Sequence, residues 1–594
     1  MSLPISQKIA SIRKEMKENG LSGYIIPSSD PHLSEYPAAH WKARGWISGF
    51  DGSFGTVIIT LNEAALFTDS RYFLQATNQL EDTEITLVKM GLPDSPSFAE
   101  WLTTKLPQGS SVGIDAWVYA ATDAFALEKA LQKKGIFLHS GNDLISKIWE
   151  ERPQLPSDPI FLFPVEFSGR SAQEKIDQLR TMIAQEGCDY LLLSALDEIA
   201  WTFNIRGNDV KYNPVAISYA LISKDQSILF LSPAKINKED LPYFREEQIQ
   251  LAEYNKITNF LSRLPAGSKI MLDASKTNLA LHNSIPAACE IANQVSPANR
   301  LKSIKNEVEI EGYKQAMVYD GVALTKFFMW LDENVDKGTV TEYTVGEMLK
   351  EFRSQQPYFA GEGFGTITGY NDHGAVIHYI PTPDNAYTIA RSGTLLIDSG
   401  GQYFKGTTDI TRTIALSAPS EKQKKDFTII LKGNIALGTA VFPQKTRGSQ
   451  IDILARKVMW ENGINYLHGT GHGVGHFLNV HEGPQSIRME ENPVVLEPGM
   501  VLSNEPGIYR NGEYGLRIEN MILIKEKEET AFGKFYQCET ITLFPIDKNL
   551  IDKALLNQEE LNWLNNYHQM VFDKLSPFLN EKEIEWLRKQ TDVL

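Results

Sequence analysis

The chain has 594 residues, and at about 150 residues per domain this length suggests four domains, or three if one of them is large. A content of 42% hydrophobic and 10% aromatic residues is enough for several cores and excludes a mainly disordered chain. With 58 Lys and Arg against 74 Asp and Glu, the net charge of −16 repels phosphate backbones and anionic membranes, so we expect no nucleic-acid partner.

The amino-terminal region and the cysteines indicate a cytoplasmic protein. Residues 1–20 form an amphipathic helical pattern with charges throughout and lack the apolar core of a signal peptide. No stretch approaches the roughly 18 uncharged apolar residues of a membrane span, so we expect no membrane association. The three cysteines, Cys188, Cys289 and Cys538, lie far apart, which fits a reducing compartment and argues against disulfides or a thiolate metal cluster.

The first half of the chain contains a pattern that occurs twice. In the first copy a helical segment ends at Gly20, an apolar strand follows at residues 24–26, and the sequence WISGF follows at residues 46–50. In the second copy the helical segment ends at Gly187, the strand covers residues 190–193, and WTFNI follows at residues 201–205. Further β-rich runs follow in both copies, so we predict two related α/β units.

Two proline-containing segments set the predicted domain limits. Three prolines in residues 151–159 resist both helix and sheet, and a second boundary falls near residues 296–300. A long amphipathic helix is predicted to begin at residues 305–309, and an amphipathic segment at residues 558–568 is expected to pack on its own domain. We therefore predict domains at residues 1–152, 153–300 and 301–594.

Six of the eleven histidines lie between positions 373 and 481 of the third domain, together with several acids that follow strands. A buried-looking strand ends at Asp398, and a return strand over residues 407–413 contains Asp409. A hairpin of this length brings the two carboxylates side by side. Two adjacent carboxylates in apolar surroundings repel each other, so a bound cation would explain them. One surface and one turn aspartate remain the alternative for this motif alone.

A second predicted hairpin carries Glu505 and Glu519, and His472 lies in the glycine-rich sequence GTGHGVG, which we expect to be a loop. Four carboxylates and one imidazole suit hard divalent ions such as manganese better than a thiolate zinc site. Five side chains for two metals require some carboxylates to bridge. Such a pair of ions holds a hydroxide that can attack a carbonyl.

These motifs resemble a known family. The sequences DSGG and TTD, HGTGHGVG, NVHEGP, NEPG and RIEN are similar to those of the dinuclear "pita-bread" metallopeptidases, and among them of the cytosolic Xaa-Pro aminopeptidases. FDGSFGT, FTDSRYFLQA, ALDEIAWTFNIRG and WLNNYH resemble the long three-domain form of that family. The resemblance implies an α/β fold class, with two related creatinase-type amino-terminal α/β domains followed by a pita-bread catalytic domain of α+β type.

The resemblance also assigns site residues. It implies that Asp409 and Glu519 bridge two metal ions, that His472 and Glu505 complete one site, and that Asp398 completes the other. The resemblance also implies a set of catalytic or substrate-binding residues, which are Arg71, His378, His468, His481 and Arg517. Glu505 is also expected to move a proton, and Arg517 to orient the acidic cluster.

The remaining histidines receive structural interpretations. His476 occupies a position where the family mostly carries a small residue, and we interpret it as a side chain behind the ligands or at the surface, with a third metal ligand as the less favoured option. His373 is expected in a loop. No role is assigned to the other five, which are His32, His40, His139, His282 and His568.

The implied activity is removal of the N-terminal residue from peptides with proline in the second position, by attack of a metal-bridging hydroxide. Two divalent ions, manganese as the first choice, peptide substrates and a homodimer are implied with it. A prolidase that cuts only Xaa-Pro dipeptides shares the metal set, but the duplicated amino-terminal domain favours the aminopeptidase. A metal-free peptide-binding relative is the alternative from a different class, and the five retained ligand types argue against it.

Overall fold

The computed structural model describes residues 3–141 and 143–594. They form two compact units, one containing the residues up to 165 together with 170–298, and the other containing residues 166–169 together with 299–594. Among the described helices, none is both long and apolar enough to cross a membrane. All three cysteines are free thiols.

The first copy in the first unit is a six-stranded mixed sheet with helices. Its strands are β1 (Gly23–Pro27), β2 (Thr56–Thr60), β3 (Ala64–Thr68), β4 (Ile85–Lys89), β5 (Ser111–Ile114) and β6 (Phe137–Ser140). Its helices are α1 (Ile5–Glu18), α2 (Ala43–Ser48), α3 (Phe73–Gln79), α4 (Phe98–Lys105) and α5 (Ala121–Gln132). The strand order is β4-β3-β2-β1-β5-β6, and β1 pairs antiparallel with β2 and parallel with β5.

The second copy has a second six-stranded sheet. The strands of this region are β7 (Phe161–Leu162), β8 (Tyr190–Leu193), β9 (Ile205–Arg206), β10 (Ser218–Ser223), β11 (Ser227–Leu231), β12 (Gln250–Glu253), β13 (Lys269–Leu272) and β14 (Glu290–Asn293). The helices are α6 (Val165–Ser168), α7 (Ala172–Gln185), α8 (Leu196–Thr202), α9 (Leu241–Glu246), α10 (Ile257–Leu261), α11 (Leu279–Ser284) and α12 (Pro297–Ser303). The order β12-β11-β10-β8-β13-β14 repeats the topology of the first sheet, which confirms the predicted duplication.

A lysine-tryptophan contact also recurs in both copies. Lys8 on α1 donates to the carbonyl oxygen of Trp46 and lies 4.9 Å from the centre of its ring. Lys175 on α7 donates to the carbonyl oxygen of Trp201 and lies 4.6 Å from its ring. The buried ammonium group thus gains a carbonyl acceptor and an aromatic face in each copy.

The two copies pack into one unit with a shared hydrophobic core, which the sequence analysis did not predict. Ile114 of the first sheet and Leu272 of the second belong to the same cluster of buried side chains. A β-bridge also joins Ala120 and Asn278. The segment predicted as the first boundary, residues 151–159, contains neither helix nor strand, whereas residues 297–300 of the second belong to α12. Proline at the first position of that helix is tolerated because no N–H is needed there.

The second unit contains the remaining helices and strands. Its helices are α13 (Glu307–Asn334), α14 (Glu342–Ser354), α15 (Glu421–Gly438), α16 (Gly448–Glu461), α17 (Gln558–Leu575) and α18 (Glu581–Thr591). Its first strands are β15 (Phe359–Glu362), β16 (Ile367–Tyr370), β17 (Thr394–Ser399), β18 (Gly401–Tyr403), β19 (Gly406–Thr407), β20 (Ile410–Ala415) and β21 (Val441–Pro443). The others are β22 (Gly471–Gly473), β23 (Glu482–Ile487), β24 (Val501–Asn504), β25 (Gly507–Arg510), β26 (Tyr514–Arg517), β27 (Asn520–Thr530) and β28 (Gly533–Thr540).

Three sheets of the second unit carry the chemistry. They are the sheet β16-β17-β20, the six-stranded sheet β21-β28-β27-β24-β22-β23 and the hairpin β25-β26. Helix α13 begins where it was predicted, because Asn306 and Glu309 form a capping box at its first turn. Helix α17 packs on its own unit as expected, since Leu564 and Val571 are fully buried in the core.

Candidate metal centre

The first pair of acids lies on two adjacent antiparallel strands. Asp398 near the end of β17 is paired with Thr411 of β20, and Asp409 immediately precedes β20. The prediction of a simple hairpin was wrong in one respect, because the connection contains β18 and β19, which pair with each other and form a separate sheet in which β18 also pairs with β15. The strand pairing alone still brings the two carboxylates to the same end of the sheet.

The second pair of acids lies where one strand pair ends and another begins. Strands β24 and β27 pair up to Asn504 and Asn520, and the hairpin β25-β26 starts with Gly507 opposite Arg517. Glu505 follows the end of β24, and Glu519 precedes β27. Both acids are therefore fixed at the junction of two sheets, on opposite strands of one long antiparallel connection.

His472 lies on strand β22, so the prediction of a glycine-rich loop was wrong. Its neighbours pair with β23 and β24, and the small side chains of this segment allow that close packing. The Nδ1 of His472 is 2.9 Å from the carbonyl oxygen of Gly473, to which it can donate. Its Nε2 is 3.4 Å from Oδ2 of Asp409 and 3.6 Å from Oε1 of Glu505. The nitrogen that points to the acids is the one that a metal would need.

Three of the predicted ligands converge most closely. One atom each of Asp409, His472 and Glu519 lies within 4.8 Å of the others. Asp398 and Glu505 lie around this group, and the Oδ1 of Asp398 is buried and has no hydrogen-bond partner within the described part of the chain. A buried carboxylate oxygen without a partner is costly, so this oxygen fits the role of a cation ligand.

Burial and mutual repulsion perturb the acids. Burial raises the pKa of Asp398, although the positive charge of Arg517 opposes the shift. Burial raises the pKa of Glu505 to about 7 and raises that of Glu519 well above its usual value, and the charge of Asp409 acts in the same direction. Two divalent charges would reverse these shifts, because they favour the ionised form of every ligand.

His472 shows the complementary effect. Burial lowers the pKa of His472, but its hydrogen bond with Asp409 and the charge of Glu505 outweigh burial and raise it to about 9. The cluster therefore attracts a positive charge at this nitrogen. A metal ion would supply that charge in place of a proton.

Arg517 holds the acidic cluster in place through three contacts. Its Nη2 donates to Oδ2 of Asp398 at 2.6 Å, its Nε to Oγ1 of Thr411 at 3.0 Å, and its Nη1 to the hydroxyl of Tyr509 at 2.7 Å. Thr411 in turn donates to Oε2 of Glu519 at 2.7 Å. One guanidinium thus orients two of the acids, one of them through a hydroxyl.

The accessory histidines differ in their link to this cluster. The ring of His481 is 4.4 Å from that of His472, with its edge against the face. Nε2 of His468 is 2.9 Å from the hydroxyl of Tyr509, which itself contacts Arg517. His378 lies in the turn after a short 3₁₀ helix at Asn371–Ala375.

Arg71 belongs to the first unit, and its guanidinium is paired with the carboxylate of Asp69 at 2.7 Å. Burial lowers the pKa of Arg71, but the hydrogen bond with Asp69 and the nearby hydroxyl of Tyr72 outweigh burial and raise it. The side chain therefore remains a fixed cation.

Two histidines differ from their sequence interpretation. His476 is buried, with its ring edge-on to that of Tyr313 at 5.4 Å, so the surface option was wrong. His373 lies in the 3₁₀ helix rather than an irregular loop, and its Nδ1 is 2.9 Å from Oε2 of Glu342. His568 is fully buried and accepts the N–H of Ile546 at 3.1 Å.

Sequence reasoning missed Thr411 and Tyr509, which connect Arg517 to the acids and to His468. A signal was present, because residues two apart on a strand share a face. Thr411 is two residues after Asp409, so a search of the period-two position beside this acid would have found it. Tyr509 lies four residues after Glu505, on the next strand, and has no such signal.

Comparison with known proteins places this site in a family. Residues 8–147 and 151–309 match creatinase/prolidase N-terminal domains, residues 311–526 match metallopeptidase family M24, and residues 534–594 match the C-terminal region of peptidase M24. The protein named "Probable Xaa-Pro aminopeptidase P" of Coprinopsis cinerea is 41% identical over 611 residues, which cover 99% of this chain and 98% of that protein. Its namesake in Laccaria bicolor is 42% identical over 605 residues, covering 99% and 94%.

The chain belongs to the Xaa-Pro aminopeptidase P family of M24 metallopeptidases. A crystal structure of X-prolyl aminopeptidase from Caenorhabditis elegans, described as "a cytosolic enzyme with a di-nuclear active site", matches with a TM-score of 0.95 and 32% identity. The match covers 100% of both chains. Membership of the aminopeptidase P family confirms the fold class expected from the motifs, two creatinase-type domains followed by the M24 domain.

Proposed function

We propose that this chain removes the N-terminal residue from peptides whose second residue is proline, with two divalent ions held by five side chains. The proposed ligands are Asp398, Asp409, His472, Glu505 and Glu519. The observation that carries the proposal is the convergence of Asp409, His472 and Glu519 within 4.8 Å, beside a buried carboxylate oxygen of Asp398 that has no hydrogen-bond partner among the described residues. Membership of the aminopeptidase P family supports it.

The proposed division of ligands is the one that the family resemblance implies. Asp409 and Glu519 would hold both ions, His472 and Glu505 would complete one of the two sites, and Asp398 would complete the other. Arg517 and Thr411 occupy one oxygen each of Asp398 and Glu519, which leaves the other oxygen of each acid for metal. When bound, the ions supply an activated water and polarise the scissile carbonyl.

The chain's own residues then handle the proton and the substrate. Glu505 accepts a hydrogen bond from Ser503 at 3.1 Å and is proposed to take up and return a proton. His481 and His468 are proposed to contact the substrate. The ring of His481 contacts that of His472, and His468 contacts the hydroxyl of Tyr509.

Proline requires recognition of this kind because an Xaa-Pro bond is a tertiary amide without an N–H. A peptidase that aligns its substrates through backbone hydrogen bonds loses that donor. We propose that His378, His468 and His481 form the surface that receives the proline ring. Arg71 is proposed to bind substrate as well, which is testable because R71A would then raise KM more than it lowers kcat.

Manganese, a homodimer, a cytoplasmic location and the domain limits at residues 152 and 300 are part of the proposal. Hard oxygen ligands support manganese. The three free thiols support a reducing compartment. The Caenorhabditis elegans enzyme described as cytosolic supports the same location.

The direct test compares three substrates. The purified chain is loaded with Mn²⁺, its metal content is measured, and hydrolysis of Xaa-Pro-Yaa, Xaa-Pro and Xaa-Ala-Yaa peptides is followed. We expect about two ions per chain and cleavage of the first substrate only or far faster than the others. Cleavage of Xaa-Pro alone would establish a prolidase instead. Absence of both metal and cleavage would establish a binding protein.

A second experiment tests His481. H481A should lower kcat far more than metal content, because the ring contacts a ligand without being one. The matched control is H139A, since His139 is exposed on β6 in the first unit. Unchanged turnover in H481A would remove this histidine from the mechanism.

A further inference from the structure

A buried carboxylate outside the metal centre organises the segment that contains His378. Glu342 is the first residue of α14, and its side chain is fully buried. Its two oxygens accept the backbone N–H groups of Tyr370 and Tyr387, both at 2.7 Å. The Nδ1 of His373 lies 2.9 Å away and the hydroxyl of Tyr379 lies 3.3 Å away.

All four partners of Glu342 belong to residues 370–387. A buried carboxylate needs several donors to offset its loss of water, and α14 itself provides none of the four. The backbone N–H of Glu342 also donates to the carbonyl oxygen of Tyr387 at 3.1 Å. Glu342 thus ties the beginning and the end of this segment to the start of α14.

His378 lies between two of the tied residues. The N–H of Val376 donates to the carbonyl oxygen of His373, and the N–H of Tyr379 donates to that of Val376, both at 3.0 Å. The ring of His373 stacks on Tyr387 with centroids 3.6 Å apart. The backbone from His373 to Tyr379 therefore follows two consecutive turns with an anchor on Glu342 at each end.

The other face of the segment rests on a strand of the candidate metal centre. A Cβ atom added to Gly515 of β26 would lie 1.7 Å from the carbonyl oxygen of Gly374, so the two backbones are in direct contact. Two residues further along β26, Arg517 donates to Asp398 at 2.6 Å. A shift of the 3₁₀ helix would therefore displace either the turn with His378 or the strand with Arg517.

We propose that Glu342 and His373 are positioning residues that orient His378 for catalysis. This inference rests on the proposed function, since it needs His378 to act on the substrate. The carboxylate contacts no proposed ligand itself. It acts through the segment that it anchors, so its removal should matter only while His378 is present.

A double-mutant cycle tests this dependence. The variants E342Q, H378A and E342Q/H378A are loaded with Mn²⁺, and kcat, KM and metal content are measured with an Xaa-Pro-Yaa peptide. Gln retains the size of Glu342 but presents an NH₂ group to at least one donor. We expect E342Q to lower kcat about 10- to 100-fold with unchanged metal content, since small displacements of a reacting group have effects of this size. In the H378A background the further loss should be less than about threefold.

The matched control is D320N. Asp320 is a buried carboxylate on α13 that pairs with Arg353 of α14 and accepts the hydroxyl of Tyr403, and both partners lie outside residues 370–387. Its substitution should lower stability and should lower kcat by the same factor with and without His378. An equal loss from E342Q in both backgrounds would overturn the inference while leaving the proposed function intact.

Three further outcomes of the experiment also have a definite meaning. If E342Q does not fold, H373Q replaces it in the cycle, because it removes one anchor and leaves the carboxylate. If the wild-type chain cleaves the peptide but H378A is equally active, the assignment of His378 and the inference both fail. A wild-type chain that cleaves no Xaa-Pro-Yaa peptide contradicts the proposed function itself.

Discussion

The two units bury charged side chains in different ways. In the first unit, Lys235 and Asp209 form an ion pair at 2.5 Å, and their side chains are 2% and 1% exposed. Asp209 also accepts the N–H of Ile217 at 2.6 Å. The buried ammonium of Lys175 donates to Asn204 and to the carbonyl oxygen of Trp201. Each of these charges has its compensation within the protein.

In the second unit, the candidate metal centre lacks this balance. Three buried carboxylates and the partly buried one of Glu505 face one guanidinium, that of Arg517, and one imidazole, that of His472. A short distance along the chain the balance returns, because Glu482 on β23 pairs with Lys302 and Lys305. The excess of negative charge is therefore local, and it is located where cations are proposed to bind. Uncompensated buried charge can thus distinguish a ligand site from a structural ion pair.

The largest expected effect comes from removing one of the carboxylates that give the candidate metal centre its excess of negative charge. E519Q should lower kcat/KM by about 10³-fold or more and reduce bound metal, because a bridging ligand is lost. In metal-free protein the same change should raise the melting temperature by several degrees, since it relieves repulsion among buried carboxylates. Both are measured on one preparation, by peptide hydrolysis with Mn²⁺ and by calorimetry with chelator.

The sign of the metal-free result is decisive for the comparison. A lower melting temperature of E519Q in chelator would mean that Glu519 is compensated within the protein. The carboxylate excess would then not mark a cation site.

Breaking a balanced ion pair in the first unit should lower the stability of the protein and leave its activity unchanged. D209N leaves the ammonium of Lys235 buried without its counter-ion and should lower the free energy of unfolding by about 3–5 kcal/mol. The kcat of the folded enzyme should not change. Denaturant unfolding measures the loss, with D177N as control, because Asp177 is exposed and its ion pair with Arg180 contributes little. A loss no larger than that of D177N would remove the distinction between the two kinds of pair.

The guanidinium of Arg517 can be replaced without changing its charge. R517K should lower kcat/KM about 10- to 100-fold, because a lysine cannot reach Asp398, Thr411 and Tyr509 together. Steady-state kinetics and metal content at several Mn²⁺ concentrations measure the effect. R510K on the same hairpin is the control, since Arg510 pairs with Asp426 rather than with a proposed ligand. Equal activity of the two variants would mean that charge alone suffices at Arg517.

The smallest effect concerns a buried group that stays neutral. Burial lowers the pKa of His568 to about 3, and the charges of Lys548 and Arg412 act in the same direction. Because the unfolded value is near 6.5, the folded state binds fewer protons below that pH. The stability contribution is full above pH 6.5 and falls by about 2 kcal/mol on reaching pH 5.

H568Q should therefore lose stability less steeply than the wild type between pH 6.5 and 5, as measured by denaturant midpoints. If the stability of the two proteins changes in parallel with pH, the lowered pKa of His568 is contradicted. H139A again serves as the control, because an exposed histidine should leave the profile unchanged.

The sequence was sufficient for the features that local patterns encode. The repeated helix, glycine and strand predicted two related units, and in the structure Gly20 and Gly187 have positive φ angles of 67° and 66° after their helices. Asn306 and Glu309 marked the start of α13. Periodicity and capping are short-range signals, so they survive without knowledge of the tertiary fold.

The sequence was insufficient where long-range pairing decides the conformation. The four glycines and one threonine around His472 are typical of a loop. The segment is nevertheless a strand, because His472 pairs with Ser486 and Gly473 pairs with Leu502. The interpretation of His476 left a surface position open, because nothing local shows that its ring contacts Tyr313, which is far away in sequence. Likewise, the partners of Glu342 come from a segment that has no regular pattern.

The junction between the pairs β24-β27 and β25-β26 has a consequence for insertions and deletions. Glu505 and Glu519 lie on opposite sides of one long antiparallel connection, so the register of the strands sets the distance between them. An added residue between Glu505 and Gly507 would shift the register of the hairpin β25-β26 by one residue relative to the pair β24-β27, and both acids lie between these two pairs. An added residue at the tip near Gly512 would leave both acids in register, so natural length variation should concentrate there.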